Sequence, residues 1–171
     1  MTNVVTRPIW LAFLSALWMA GLAIWFLSTE AYGTGKQHTN VLSIGGAVTE
    51  IVYALNEEHR LVARDTTSSY PPVAKELPDV GYMRALSPEG VLSVEPDLII
   101  SAAGAGPIET IDLLKASGVP FVSVPEVVDG TGIAEKIRII GEALGVEDKA
   151  DILAVNVEAE LAEAQMNAAE Q

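Results

Sequence analysis

The sequence predicts an α/β fold: a single lobe with a short, mostly parallel sheet flanked by helices, followed by a long C-terminal helix. Three observations carry this. From residue 41 onward, short apolar runs alternate with segments of helical spacing, the order expected of a layered α/β unit. The runs, the Leu98-Ile99-Ile100 of "DLIIS" most plainly, are apolar at consecutive positions rather than alternating, as strands buried on both faces are. The connections between elements are short, as in compact α/β units.

Residues 1–33 stand apart from that pattern. "RPIWLAFLSALWMAGLAIWFL" carries one charge, Arg7, and then an uncharged run from Pro8 to Leu27, about long enough to cross a bilayer. "STEAYG" follows, with Ala31 and Gly33 as small residues two apart, which suits signal peptidase. The preferred reading is a cleaved secretory signal ending near Gly33; the alternative is an uncleaved membrane anchor. Either one places the remainder outside the cytoplasm, in the periplasm or an equivalent space. Residues 34–40, "TGKQHTN", are a polar linker.

The lobe itself is expected over residues 41–146. "VLSIGG" predicts a strand ending in a glycine turn. "AVTEIVYALNEEHR" predicts a helix, with Val48, Ile51, Val52 and Leu55 at helical spacing. "LVARD" is a second strand, and the stretch after it is mostly loop. "SPEGVLSVEP" opens a helix with Ser87 as N-cap and Pro88 at the first helical position. "DLIIS" is the third strand; "GPIETIDLLKASG" is a helix with Pro107 near its start and Gly118 after its end. "VPFVSV" is the fourth strand and "PEVVDGTG" a loop. "IAEKIRIIGEALG" is a helix stopped by Gly145. A last helix runs over 147–171, its apolar side fading toward "AEAQMNAAEQ" with no C-cap.

Composition excludes several functions. The net charge of -13 at pH 7 argues against nucleic acid as a partner, since a phosphate backbone needs a basic surface. The absence of cysteine removes disulfides, thiolate metal sites and a cysteine nucleophile. His38 and His59, the only histidines, lack metal-ligand spacing, and no serine–histidine–carboxylate set assembles around them. No enzyme is expected. "SIGG" lacks the G-x-G-x-x-G fingerprint, so Gly45-Gly46 reads as a tight strand-to-helix turn rather than a nucleotide site. Glu50, Glu89 and Glu109 lie near helix starts, where the helix dipole favours them.

Tyr70 is the candidate of interest. It precedes Pro71-Pro72, which pushes its backbone to an extended conformation and stiffens the chain beyond it. Thr66, Thr67, Ser68 and Ser69 offer hydroxyls that cap turns. Two readings stand: an exposed loop tyrosine, or a phenol presented to a ligand at the strand ends, where open α/β sheets bind their ligands. A free phenol ionises near about pH 10 and holds ferric iron only as phenolate; tyrosinate is a haem-iron ligand. Arg84, in "GYMRALS", is the local cation; it either pairs with a ligand carboxylate or is a surface arginine pairing with Glu89 or Asp79.

The motifs together resemble a known family. "VLSIGGAVTEIVYALNEEHRLVARDTTSSYPPVAKELPDVGYMRALSPEGVLSVEPDLII" is similar to the N-terminal lobe of periplasmic haem-binding proteins, the substrate-binding components of bacterial haem ABC importers. They belong to a larger group that also binds vitamin B12 and ferric siderophores. "DTTSSYPP" with "LPDVGYMRALSPEG" resembles the haem branch. The resemblance implies haem as the transported ligand and an importer permease as the partner. It implies Tyr70 as axial ligand to the haem iron, Arg84 as a propionate-facing or supporting group, Tyr82 in the pocket wall, and Glu50 near the surface that meets the importer. It also implies two lobes joined by a long helix, of which this chain covers the first lobe and, at 147–171, the start of the helix. The second lobe is absent from the sequence, which is therefore expected to be a truncation or a fragment, with Ile152, Leu153, Val155 and Leu161 left uncovered. The rival readings are a siderophore or cobalamin binder, and a membrane-anchored interaction module with no small ligand.

Overall fold

Four parallel strands, β1 (Val41–Ile44), β2 (Leu61–Arg64), β3 (Leu98–Ala102) and β4 (Phe121–Val124), form one sheet in the order β2-β1-β3-β4. The computed structural model describes residues 38–126 and 131–169. The expected export segment and most of the linker lie outside the described residues, as does the middle of "PEVVDGTG". The helices are α1 (Gly46–Ala54), α2 (Pro88–Leu92), α3 (Ile108–Ala116), α4 (Thr131–Leu144) and α5 (Glu147–Ala169), with 3-10 turns at Glu58–Arg60 and Pro72–Glu76. Among the described residues no helix is long and apolar enough to cross a membrane.

Strand side chains point alternately to the two faces of a sheet, and here each face has its own core. Val41, Leu98 and Ile100 join Val48 and Val52 of α1, Ile137 and Ile140 of α4, and Ala150 and Ala154 of α5. Leu42, Ile44 and Ile99 join Val91 of α2 and Ile111 and Leu114 of α3. The sheet is therefore covered on both sides, which is why its central strands are apolar at nearly every position. The exceptions are Ser101 of β3, whose hydroxyl donates to the Ala102 carbonyl, and Ser43, fully buried on the α1 face, where its hydroxyl meets that of Thr49 at 2.7 Å.

The helix expected through residue 60 ends earlier, at Ala54. Asn56 takes a left-handed conformation (φ 58°), which asparagine tolerates and which stops the helix. The residues beyond it serve a buried ion cluster. Glu57 and Arg60 are 4% and 3% exposed and pair at 3.1 Å. Arg60 also donates to the Leu144 carbonyl at 2.8 Å and the His38 carbonyl at 2.6 Å, and Lys149 of α5 donates to Glu57. The cluster ties the end of α4 and the start of α5 to the loop before β2.

α4 and α5 form an antiparallel pair across Gly145 (φ 69°). They meet at Gly141, where a Cβ would fall 2.1 Å from the Cβ of Ala150. The other apolar residues of α5 are less covered: Ile152, Val155 and Met166 are exposed, while Leu153, Val157 and Leu161 are half-buried.

Two outcomes are expected. Helix propensity alone favours alanine over glycine by about 0.5–1 kcal/mol. At Gly141 the clash with Ala150 reverses this, so Gly141→Ala lowers unfolding free energy by about 1–3 kcal/mol in a urea melt. The second concerns acid. Burial pushes the Glu57 carboxyl up, but the hydrogen bonds and charges of Lys149 and Arg60 outweigh it and hold the group below its ordinary value of 4.5. A carboxyl depressed in the folded state contributes stability above its unfolded pKa and loses it as pH falls through the folded one. Melts from pH 7 down to 3 are therefore expected to show an acid limb beginning near 4.5. In Glu57→Gln that limb is shallower and stability at pH 7 is already lower.

Candidate functional site

Because all four strands are parallel, the loops that follow them gather at one edge of the sheet. The chain leaves β1 in one direction to β2 and crosses back to β3 on the other side, so the crevice between β1 and β3 is the topological switch point. Gly45 sits there with φ 106°, and a Cβ on it would lie 2.7 Å from the Cβ of Ala102 at the end of β3. Both the backbone angle and the close approach require glycine.

The Gly45 amide donates to the Oδ1 of Asp65, at 2.8 Å. This carboxylate, fully buried just after β2, organises the whole edge. Its Oδ1 also accepts from the Ser68 hydroxyl at 2.6 Å. Its Oδ2 accepts from the Thr67 amide at 2.9 Å and the Thr67 hydroxyl at 2.6 Å. The Ser68 hydroxyl in turn accepts from Thr49 of α1, whose hydroxyl also meets that of Ser43 of β1. The turn amide that would greet a phosphate is thus already occupied by a protein carboxylate, which agrees with reading Gly45-Gly46 as structural.

A second clamp closes the loop. Arg64 donates to the Asp79 carboxylate at 2.8 Å, to the Asp65 carbonyl at 2.9 Å and to the Ala74 carbonyl at 3.3 Å. Arg64 and Asp79 also bridge as backbone, with Val80 donating to the Arg64 carbonyl at 3.0 Å. Partial burial pushes the Asp79 carboxyl up, but hydrogen bonds from Gly81 and Thr66 and the Arg64 guanidinium hold it below the usual carboxylate range. Asp79 is therefore the partner of Arg64, not of Arg84. Arg84 is exposed and forms no ion pair with Glu89 or Asp79.

Tyr70 stands between the two clamps. Ser68 is buried two residues earlier and Ala74 four residues later, yet the Tyr70 side chain is 62% exposed. Its peptide bond to Pro71 is cis. The phenol has no hydrogen-bond partner among the described residues. It borders an open groove of about 420 Å³. Ala47, Ile51 and Ala54 of α1 form one wall, Ile133 and Ile137 of α4 another, and Leu153 and Val157 of α5 extend it. Glu50 and Lys136 are the charged residues on the groove. Lys136 pairs with Glu126, just after β4, at 3.0 Å.

Tyr82 and Arg84 lie on the same sheet edge but not on this groove. Their turn is held by Thr66 donating to the Gly81 carbonyl, Ala85 to Tyr82, and Gly106 to Met83. Tyr82 is 48% exposed. His59 is exposed and His38 faces Asp97 at 3.5 Å; among the described residues no cluster of three or more histidines and carboxylates suits a metal ion. Sequence reasoning missed Asp65. Its signal was present: an aspartate directly after a strand and before Thr-Thr-Ser is an Asx-turn pattern. The groove walls on α4 and α5 had no such local signal.

A family model described as periplasmic binding protein matches residues 41–171. The chain belongs to that family. A lipoprotein of Bacillus subtilis, described as an uncharacterized ABC transporter substrate-binding protein, is 30% identical over 78% of this chain and 43% of its own length. A vitamin B12-binding protein of Yersinia pestis is 37% identical over 52% of this chain and 32% of its own. Among solved structures, the periplasmic heme-binding protein RhuT from Roseiflexus sp. RS-1 superposes with a TM-score of 0.75 at 38% identity, covering 77% of this chain and 51% of that one. The periplasmic heme-binding protein BhuT, in complex with two hemes, gives 0.73 at 38% identity with the same coverage. The chain thus spans about half the length of these solved relatives, and less of the curated ones.

Removing the Asp65 carboxylate leaves the Gly45 amide and the Ser68 and Thr67 groups without their acceptor. Asp65→Ala is expected to cost about 2–4 kcal/mol in chemical denaturation, since each buried unsatisfied group costs about 1–3. It is also expected to open the loop to trypsin at Lys75 before the rest of the domain is cut.

Proposed function

We propose that this chain works as the substrate-binding component of an ABC importer, capturing ferric haem outside the cytoplasmic membrane and delivering it to a membrane permease. It binds and releases; it does not transform. The observation that carries this reading is Tyr70: a largely exposed phenol with no hydrogen bond of its own, on a loop fixed at both ends, at the rim of an apolar groove. An apolar wall suits the face of a macrocycle, and a phenolate is a strong ligand for its ferric iron. The iron supplies the positive charge that lowers the phenol's pKa on binding. Similarity to proteins whose names include heme binding supports the same cargo. In this reading residues 1–33 direct export, residues 41–146 form the N-terminal lobe, and α5 begins the helix that leads to a second lobe. Tyr82 and Arg84, on the same edge, reach the cargo from the side away from the groove.

Cobalamin is the second reading, favoured by the 37% identity to a vitamin B12-binding protein. Hemin titration of the full chain, followed in the Soret region, separates the two. The expected result is saturable binding with a high-spin ferric tyrosinate spectrum. In Tyr70→Phe that spectrum is lost and affinity falls at least about tenfold, the equivalent of 1.4 kcal/mol. Cobalamin binding that is indifferent to Tyr70→Phe, with no uptake of hemin, would sink the haem reading.

A further inference from the structure

We infer that Lys136 is the residue that selects a cargo with a carboxylate arm, and that Glu126 holds its place until such a cargo arrives. The inference rests on the haem reading and deepens it, because ferric protoporphyrin carries two carboxylates at one edge.

Among the described residues lining the groove, Lys136 is the only cation. It shares that lining with Tyr70, so the position that would hold the iron and the position that would hold an anionic arm belong to one cavity. Lys136 also lines a small adjoining pocket with Ala102 and Val124 at the ends of β3 and β4, which puts it on the ligand-binding edge of the sheet. Its side chain is only 13% exposed, with its stem beside Ile133 and Ile137, whereas its partner Glu126 is 62% exposed.

That asymmetry is what makes the pair exchangeable. An ammonium held in partly apolar surroundings requires a counter-ion, because desolvation disfavours the charged form when it stands alone. Glu126 supplies one in the empty protein, at 3.0 Å. A cargo carboxylate entering the groove replaces it, and Glu126, already largely in water, loses little by returning there. A neutral cargo leaves the pair intact and gains nothing from it. Of the other cations, Arg64 binds Asp79 and two backbone carbonyls, Arg60 and Lys149 serve Glu57, and Arg84 lies off the groove. Glu50, the remaining charge on the groove, repels an anionic arm and biases it toward Lys136.

The test compares ferric protoporphyrin with its dimethyl ester, which has the same iron and macrocycle but no carboxylate. Both are titrated into the full chain, into Lys136→Met and into Glu126→Gln, with circular dichroism to verify folding. Wild type is expected to prefer the free acid by about tenfold or more. Lys136→Met abolishes that preference while keeping the tyrosinate spectrum and the affinity for the ester. Glu126→Gln, which frees the ammonium, raises affinity for the acid alone. A preference for the acid that survives in Lys136→Met, or no preference in wild type, overturns the inference and leaves Tyr70 as iron ligand untouched. Failure of wild type to bind either porphyrin overturns the haem reading and this inference with it.

Discussion

A buried carboxylate is costly unless its oxygens are satisfied, and Asp65 is satisfied by four donors from two stretches of chain. Gly45 reaches it from the turn after β1, Thr67 and Ser68 from the loop after β2, and through Ser68 the α1 hydroxyl of Thr49 is drawn in as well. Among the described residues no cation pairs with this carboxylate; Arg64 beside it bonds to its backbone carbonyl and sends the guanidinium on to Asp79. The site therefore depends on hydrogen bonds of fixed geometry rather than on an ion pair that tolerates sliding. Directional bonds of this kind set where a loop goes, and here they set where the loop of Tyr70 leaves the sheet.

The two sides of the sheet edge are built on different principles. Around Asp65 and Arg64 the chain is polar and cross-linked, with Arg64, Asp65 and Ser68 buried beneath an otherwise exposed loop. Across the groove the walls are helix faces of alanine, isoleucine, leucine and valine. Small residues on α1, Ala47 and Ala54, keep that wall low. The Gly141–Ala150 approach brings α5 hard against α4, so that Leu153 and Val157 line the groove while packing against the margin of the core. The Glu57–Arg60–Lys149 cluster then holds the root of α5 in that position.

Much of the fold was legible because local signals and tertiary needs agreed. Leu98-Ile99-Ile100 within "DLIIS" is apolar at consecutive positions because both faces of β3 are covered, and Ser87-Pro88 starts α2 through a bond from the Gly90 amide to the Ser87 hydroxyl. The end of α1 was less legible: "ALNEEHR" has helical composition, and what stops the helix is the left-handed Asn56 together with buried charges that find their partner on α5, 92 residues away. Of the two readings of Arg84, the surface pair with Asp79 is the one the fold removes, for a similar reason. Asp79 is closer to Arg84 in sequence, but the backbone bridge of residues 64 and 79 gives it to Arg64. Tyr70 was conspicuous from its two prolines alone. The groove beside it was not, since its walls come from segments 47–54, 133–137 and 153–157, and only packing brings them together.

In the proposed reading, the two groups that would meet the cargo differ in what binding asks of them. Among the described residues Tyr70 has no hydrogen-bond partner to give up, and the loop that carries it is fixed before any ligand arrives. The freedom it would otherwise lose on binding has been lost already in folding, which is preorganisation. Lys136 must instead exchange one carboxylate for another, so its contribution is a difference between two similar contacts. Such an exchange adds about tenfold to the affinity for the right cargo and nothing for a cargo without an anion. A preorganised iron ligand therefore supplies affinity and an exchanging ion pair supplies discrimination. Neither demands that the groove close tightly around what it holds, which suits a protein that must later give its cargo away.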